Sequence, residues 1–267
     1  MELVWHMARQ GRNAAPNTLG GIESAIVSGA KRIEIDIRLL ADRDAALFHE
    51  SITGDGRAVG SLTYAAARAV GLSLFSEAVQ RVAASKAVLQ VDLKDETLLP
   101  ADKVAHLAEL VAPLRDRVVV GSMIDWNLRQ LRAAAPGLRL GFDPLLYFHH
   151  WNDRPTDVPF PLQRGSYGYW DDHPLATAGI VPLQDYLTIR VDGLHAMVPG
   201  VEEIMLHYPT LLRALDDGVD VCRLLHQRGT RVLAWTLDAD VADAQASRAR
   251  LHAAGVDLLV TNTPLEW

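Results

Sequence analysis

Short β-like runs alternate with longer amphipathic stretches along most of this chain, and that alternation limits its fold more than any other feature. Strand-like runs fit 2–6, 32–38, 87–94, 117–121, 138–142, 202–207, 231–237 and 256–260. A further short run, Ala45–His49, follows the turn-like Asp42-Arg43-Asp44. Helical patterns fit 18–29, 75–84, 101–113, 125–134, 209–228 and 239–254, with Asn17 or Thr18 able to cap the first and Gly29 able to end it. Strand-then-helix units imply parallel pairing, because parallel strands need a crossover that is usually helical. The chain has 267 residues, close to the roughly 250 of a barrel with eight such units. The expected architecture is therefore α/β, a (β/α)8 TIM barrel forming a single domain over 1–267. A doubly wound open sheet competes, but no Gly-x-Gly-x-x-Gly follows an early strand.

Residues 143–200 read as less regular, a lid-like insertion in the repeat. Within them, 145–175 gather Tyr147, Phe148, His149, His150, Trp151, Tyr167, Tyr169, Trp170 and His173 among several prolines. A long βα segment of this composition is expected to act as a lid. The alternative is an interface with a second copy of the chain, as in a homo-oligomer.

Composition removes several function classes. Lys and Arg number 26 against 33 Asp and Glu, a net charge of −7, so a broad nucleic-acid-binding face is disfavoured. Cys222 is the only cysteine, which excludes an internal disulfide framework and a cysteine zinc cluster. No window holds the roughly 18 uncharged apolar residues of a membrane span, and the first residues lack a secretory pattern. A soluble cytoplasmic protein acting on a small molecule is expected.

The chemistry concentrates on two strands. In Arg32-Ile33-Glu34-Ile35-Asp36-Ile37 the isoleucines share one face and the two acids the other. In a barrel the apolar face packs on the helices, so Glu34 and Asp36 project inward, where a charge without a partner is costly. Leu89-Gln90-Val91-Asp92-Leu93-Lys94 repeats the arrangement, and Asp92 can complete a three-carboxylate site for a hard divalent ion such as Mg2+ or Ca2+. Lys94, at the C-terminal strand end where barrel sites are built, can meet an anionic substrate. Alternatively, Lys94 and Asp92 form an internal pair that only satisfies itself. His6 and His49 end strands beside the acids, and such a pair can take one proton and deliver another near neutral pH.

These segments resemble the glycerophosphodiester phosphodiesterase family over almost the whole chain, most weakly in 143–200. His6 matches the histidine that ends the family's first strand, Asn17-Thr18 the end of its helix-one motif, and Glu34-Ile35-Asp36 its acidic pair. His49-Glu50 matches the second histidine with its acidic follower, and Asp92-Leu93-Lys94 the third-strand motif. Trp235-Thr236 and Gly255–Pro264 match the late motifs. The resemblance implies a (β/α)8 barrel that hydrolyses a small phosphodiester to an alcohol and a phosphomonoester. Glu34, Asp36 and Asp92 would hold Mg2+ or Ca2+, with Mn2+ also suitable. His6 and His49 would serve as acid and base in an order left open, and Lys94 would offset phosphate charge. Arg9, Asn17 and Trp235 would contact substrate.

The sequence also departs from the family. Met7 stands where an arginine is usual, a role Arg9 or Arg12 would have to take, and Pro16 replaces the helix-one glutamate. Asp92 replaces a common glutamate, and Glu50 a common aspartate. His-Met together with Asp-Leu-Lys also resembles the sphingomyelinase D-like phospholipases, which implies release of a cyclic phosphate as an alternative outcome. A barrel that binds phosphorylated ligands without turnover is another alternative, and a phosphatidylinositol-phospholipase-like barrel, which also uses paired histidines, is a third.

Overall fold

The structure, a computed structural model, describes residues 1–151 and 163–267. Its strands are β1 (Glu2–Trp5), β2 (Arg32–Leu39), β3 (Ala45–Leu47), β4 (Val88–Leu93), β5 (Val118–Ser122), β6 (Arg139–Phe142), β7 (Phe148–His149), β8 (Gln163–Arg164), β9 (Trp170–Asp171), β10 (Glu203–His207), β11 (Arg231–Trp235) and β12 (Leu258–Thr261). Its helices are α1 (Leu19–Val27), α2 (Tyr64–Ala69), α3 (Phe75–Ala83), α4 (Ala101–Val111), α5 (Asp125–Ala134), α6 (Leu183–Ala196), α7 (Tyr208–Asp216), α8 (Val221–His226) and α9 (Ala244–Ala253). The main sheet runs β1-β12-β11-β10-β6-β5-β4-β2, and β1 also pairs with β2, so the order closes on itself as the expected (β/α)8 barrel. β3 folds back antiparallel on β2, with Ile37 opposite Leu47.

Contacts divide the chain into two units. The first comprises Leu3–Leu140 with Thr261–Trp267. Its β2 is covered on both faces: Ile33, Ile35 and Ile37 are fully buried, and Glu34 and Asp36 are nearly so on the other side. Parallel register sets Glu34 beside Gln90 and Asp36 beside Asp92, which brings the inward acids of two strands to one level. Thr18 caps α1 by accepting the Gly21 N–H at 2.9 Å.

The second unit comprises Gly141–Val260 with Met1–Glu2. Here the described part of 143–200 is more regular than its sequence suggests. It contains the fourteen-residue α6 and a three-stranded antiparallel sheet, β7-β9-β8. Gly193 and several β-branched residues weaken the local helix signal of α6, and packing of Tyr186, Leu187, Val191 and Leu194 overrides it. Buried polar bonds tie this segment down: the Tyr186 hydroxyl donates to Asp171 at 2.6 Å and the Tyr169 hydroxyl to Asp217 at 2.7 Å. The centre of the expected lid, 152–162, lies outside the described residues.

Two other helices are shorter than expected. The run 209–228 breaks into α7 and α8 because Gly218 takes φ +84°, and the Asp220 carboxylate then caps a new helix. The run 239–254 is helical only from Ala244, after Asp243 in a left-handed conformation. α2 lies in a stretch given no element from the sequence. No helix among the described residues is long and apolar enough to cross a membrane.

Candidate active site

Glu34, Asp36 and Asp92 each present an oxygen, and the three oxygens lie within 4.8 Å of one another. Three carboxylates this close repel, and Lys94 answers part of that charge. Its ammonium lies 2.7 Å from Asp92 Oδ2 and 3.2 Å from Asp36 Oδ1. Burial alone would make this lysine a poorer base for a proton; the carboxylates, Asp92 first, outweigh it and hold the ammonium charged. One cation thus faces three acids.

The surplus falls on Glu34. Its Oε2 accepts the Met7 backbone N–H at 2.7 Å, while its buried Oε1 has no hydrogen-bond partner. Burial, then the charges of Asp36 and Asp92, push its carboxyl well above the usual range. Asp36 behaves differently. Burial would raise it, but the charges of Lys94 and His49 and a hydrogen bond from Asn17 hold it below its ordinary value.

This donor set suits a hard divalent cation. It offers oxygen only, and it has an orphaned acceptor on a carboxyl that burial would otherwise keep protonated. Spacings up to 4.8 Å match oxygens that share one ion at about 2.3–2.6 Å, as Ca2+ takes them, and need slight contraction for Mg2+.

His6 sits in the tight turn His6–Ala8 that follows β1. Its Nδ1 lies 2.8 Å from Asn262 Oδ1, an oxygen that can only accept, so Nδ1 carries the hydrogen and Nε2 is left bare. That Nε2 is 3.8 Å from Glu34 Oε2. Burial lowers the pKa of the ring, against an opposing pull from Asp36. The turn is strained: Met7 and Ala8 take φ of 50° and 54°, left-handed values that side chains disfavour. Its conformation aims the Met7 N–H at Glu34, and the Asn17 N–H closes onto Met7 O at 2.8 Å.

Asn17 supports the acids directly. Its amide nitrogen donates to Asp36 Oδ2 at 2.8 Å, and its oxygen accepts the Asp36 N–H at 3.0 Å. Only 6% of its surface is exposed, and both its polar atoms are bonded to Asp36, so Asn17 holds that carboxylate in place. His49, beyond β3, is more open, its side chain 47% exposed, and its Nδ1 donates to Glu50 Oε1 at 2.9 Å.

The remaining sequence candidates are placed less directly. Arg9 closes the His6 turn through its backbone N–H, 2.9 Å from His6 O, and its Nε is buried without a partner. Trp235 ends β11 in the second unit, its ring 4.8 Å from His207 and 6.5 Å from Trp151. Sequence reasoning gave no role to Asn262, although it lies in the terminal motif, or to Arg38, which continues the inward register of Glu34 and Asp36.

No protein-family model and no curated protein matches the sequence. Solved structures do match over most of their length. A glycerophosphodiester phosphodiesterase from Parabacteroides distasonis is 17% identical with a TM-score of 0.65, covering 99% of this chain and 94% of its own. One from Thermotoga maritima is 15% identical with a TM-score of 0.65, covering 100% and 96%. An Oleispira antarctica phosphodiesterase, solved with the product sn-glycerol-3-phosphate, is 16% identical with a TM-score of 0.61, covering 99% and 94%. At these identities the likeness is one of fold, and the chain has the (β/α)8 barrel of the solved glycerophosphodiester phosphodiesterases.

Proposed function

We propose that this chain is a metal-dependent phosphodiesterase that cleaves a small glycerophosphodiester into an alcohol and a phosphomonoester. The observation that carries the reading is the Glu34–Asp36–Asp92 cluster, buried at Glu34 and Asp36 and half-buried at Asp92, with its unpartnered Glu34 oxygen. Glu34, Asp36 and Asp92 would hold Mg2+, Ca2+ or Mn2+, and the bound ion would supply Lewis acidity toward a phosphoryl oxygen. Lys94, held charged beside Asp36 and Asp92, would offset negative charge that builds on phosphorus in the transition state.

The two histidines would divide the proton transfers between them. His6, with Nδ1–H fixed on Asn262 and Nε2 bare, suits the base that takes a proton from the attacking water. His49, with Nδ1–H on the Glu50 carboxylate, would enter the reaction with a hydrogen on both ring nitrogens and deliver the Nε2 proton to the departing alcohol oxygen. The P–O bond to water forms as the P–O bond to the alcohol breaks, one proton is taken up and one given, and the products balance. The phosphodiesterases with this fold, one of them holding sn-glycerol-3-phosphate, support the substrate class.

The test is product release from glycerophosphocholine, glycerophosphoethanolamine, a sugar phosphodiester and a lysophospholipid, first in EDTA and then with Mg2+, Mn2+ or Ca2+ restored. Turnover that returns with metal and is lost in His6→Ala supports the reading. The 31P shift separates a phosphomonoester from a cyclic phosphate. Absence of both turnover and metal binding overturns it.

A further inference from the structure

We propose that Arg38 is a positioning residue for His49, an inference that rests on the acid–base reading above. Arg38 follows Glu34 and Asp36 on the same face of β2, but its guanidinium does not touch the three-carboxylate cluster. Its Nε donates to the backbone oxygen of His49 at 2.9 Å and its Nη1 to the backbone oxygen of Lys94 at 2.7 Å. A third nitrogen meets the exposed Glu96 carboxylate at 3.5 Å. One planar cation thus ties the segment leaving β3 to the segment leaving β4, and its fork geometry lets it hold two acceptors at once.

The two tied groups do not depend on this clamp equally. Lys94 is fixed without it, by Asp92 and Asp36 at its ammonium and by its own N–H to Ile37 O at 3.0 Å. His49 lies past the end of β3 with its side chain 47% exposed, and among the described residues its ring is hydrogen-bonded to Glu50, whose side chain is 72% exposed. The Phe48 N–H anchors the preceding residue on Asp36 O at 3.1 Å; the Arg38 bond to the His49 carbonyl is the next restraint on where that imidazole stands, so Arg38 acts on proton delivery to the leaving oxygen.

Leaving-group dependence tests this. An alkoxide must be protonated as it departs, whereas a nitrophenolate leaves without help. Arg38→Met should lower kcat on glycerophosphocholine about 100-fold with KM changed less than threefold. On bis(p-nitrophenyl) phosphate its kcat should change less than threefold. Arg38→Lys, which can reach one carbonyl at a time, should recover about tenfold of the loss, and it serves as the test variant if Arg38→Met does not fold. In a His49→Ala background, Arg38→Met should cost less than threefold on either substrate. Equal losses on both substrates, or a full additional loss in the His49→Ala background, would overturn the proposal. Failure of the underlying reading looks different: the wild-type protein would not cleave glycerophosphocholine, or His49→Ala would show no leaving-group dependence.

Discussion

Gly20 and Gly21 are adjacent in the first turn of α1, and alanine at each should have opposite effects. By helix propensity alone both replacements stabilise, each by about 0.5–1 kcal/mol. At Gly20 a new Cβ meets nothing within 4 Å, so that gain should be realised. With an unfolding entropy of about 2.1 cal/mol/K per residue over 267 residues, it raises Tm by about 1–2 °C. At Gly21 the Cβ falls 2.7 Å from the backbone oxygen of Ala8 and 3.0 Å from Thr18 Oγ1. Backbone must then move by roughly 0.7 Å to restore ordinary contact, and overpacking of this kind costs about 1–3 kcal/mol.

The atom that must move belongs to the turn carrying His6 and the Met7 N–H bound to Glu34. Gly21→Ala should thus lower Tm by about 1–4 °C and lower kcat/KM on glycerophosphocholine by about 10- to 100-fold, because sub-ångström misplacement of reacting groups is that costly. Thermal melts and steady-state kinetics on both variants measure it. A Gly21→Ala protein as stable as Gly20→Ala and fully active would refute the claim that the His6 turn is set by its contact with α1.

Further outcomes follow from other contacts. Saturating divalent cation at about 100 times its Kd should stabilise the protein by about 2.7 kcal/mol. That is roughly a 5 °C rise in Tm, reversed by EDTA and missing in Glu34→Gln; an unchanged melt would argue against the ion site. Asn262→Leu should lower kcat about 10- to 100-fold while the cation-induced rise in Tm persists, since it frees the His6 ring and leaves the carboxylates in place. Burial pushes the His149 ring down to about 4, its Nδ1 donating to Leu145 O. A depressed folded-state value means stability present above the unfolded value of about 6.5 is lost as pH falls toward 4, up to roughly 3 kcal/mol. Melts of wild type and His149→Asn between pH 7 and 4 should show the slope shrink in the variant, and parallel slopes would count against it.

Much of this protein is legible locally. Period-two alternation in 32–38 and 87–94 set Glu34, Asp36 and Asp92 on inward faces before any strand was paired, because successive side chains on a strand point oppositely. Strand–helix alternation indicated a parallel, closed sheet for the same kind of reason: a parallel crossover needs a connecting element. His6 and His49 were visible as groups at strand ends. What the tertiary structure alone decided is which partner each group keeps. His6 takes its tautomer from Asn262, 256 residues away, and Asn17 spends its amide on Asp36. The left-handed backbone of Met7 and Ala8 runs against local preference. Local periodicity reports which face a side chain takes; a hydrogen-bond partner or a strained dihedral depends on chain segments that meet only when the strands pair.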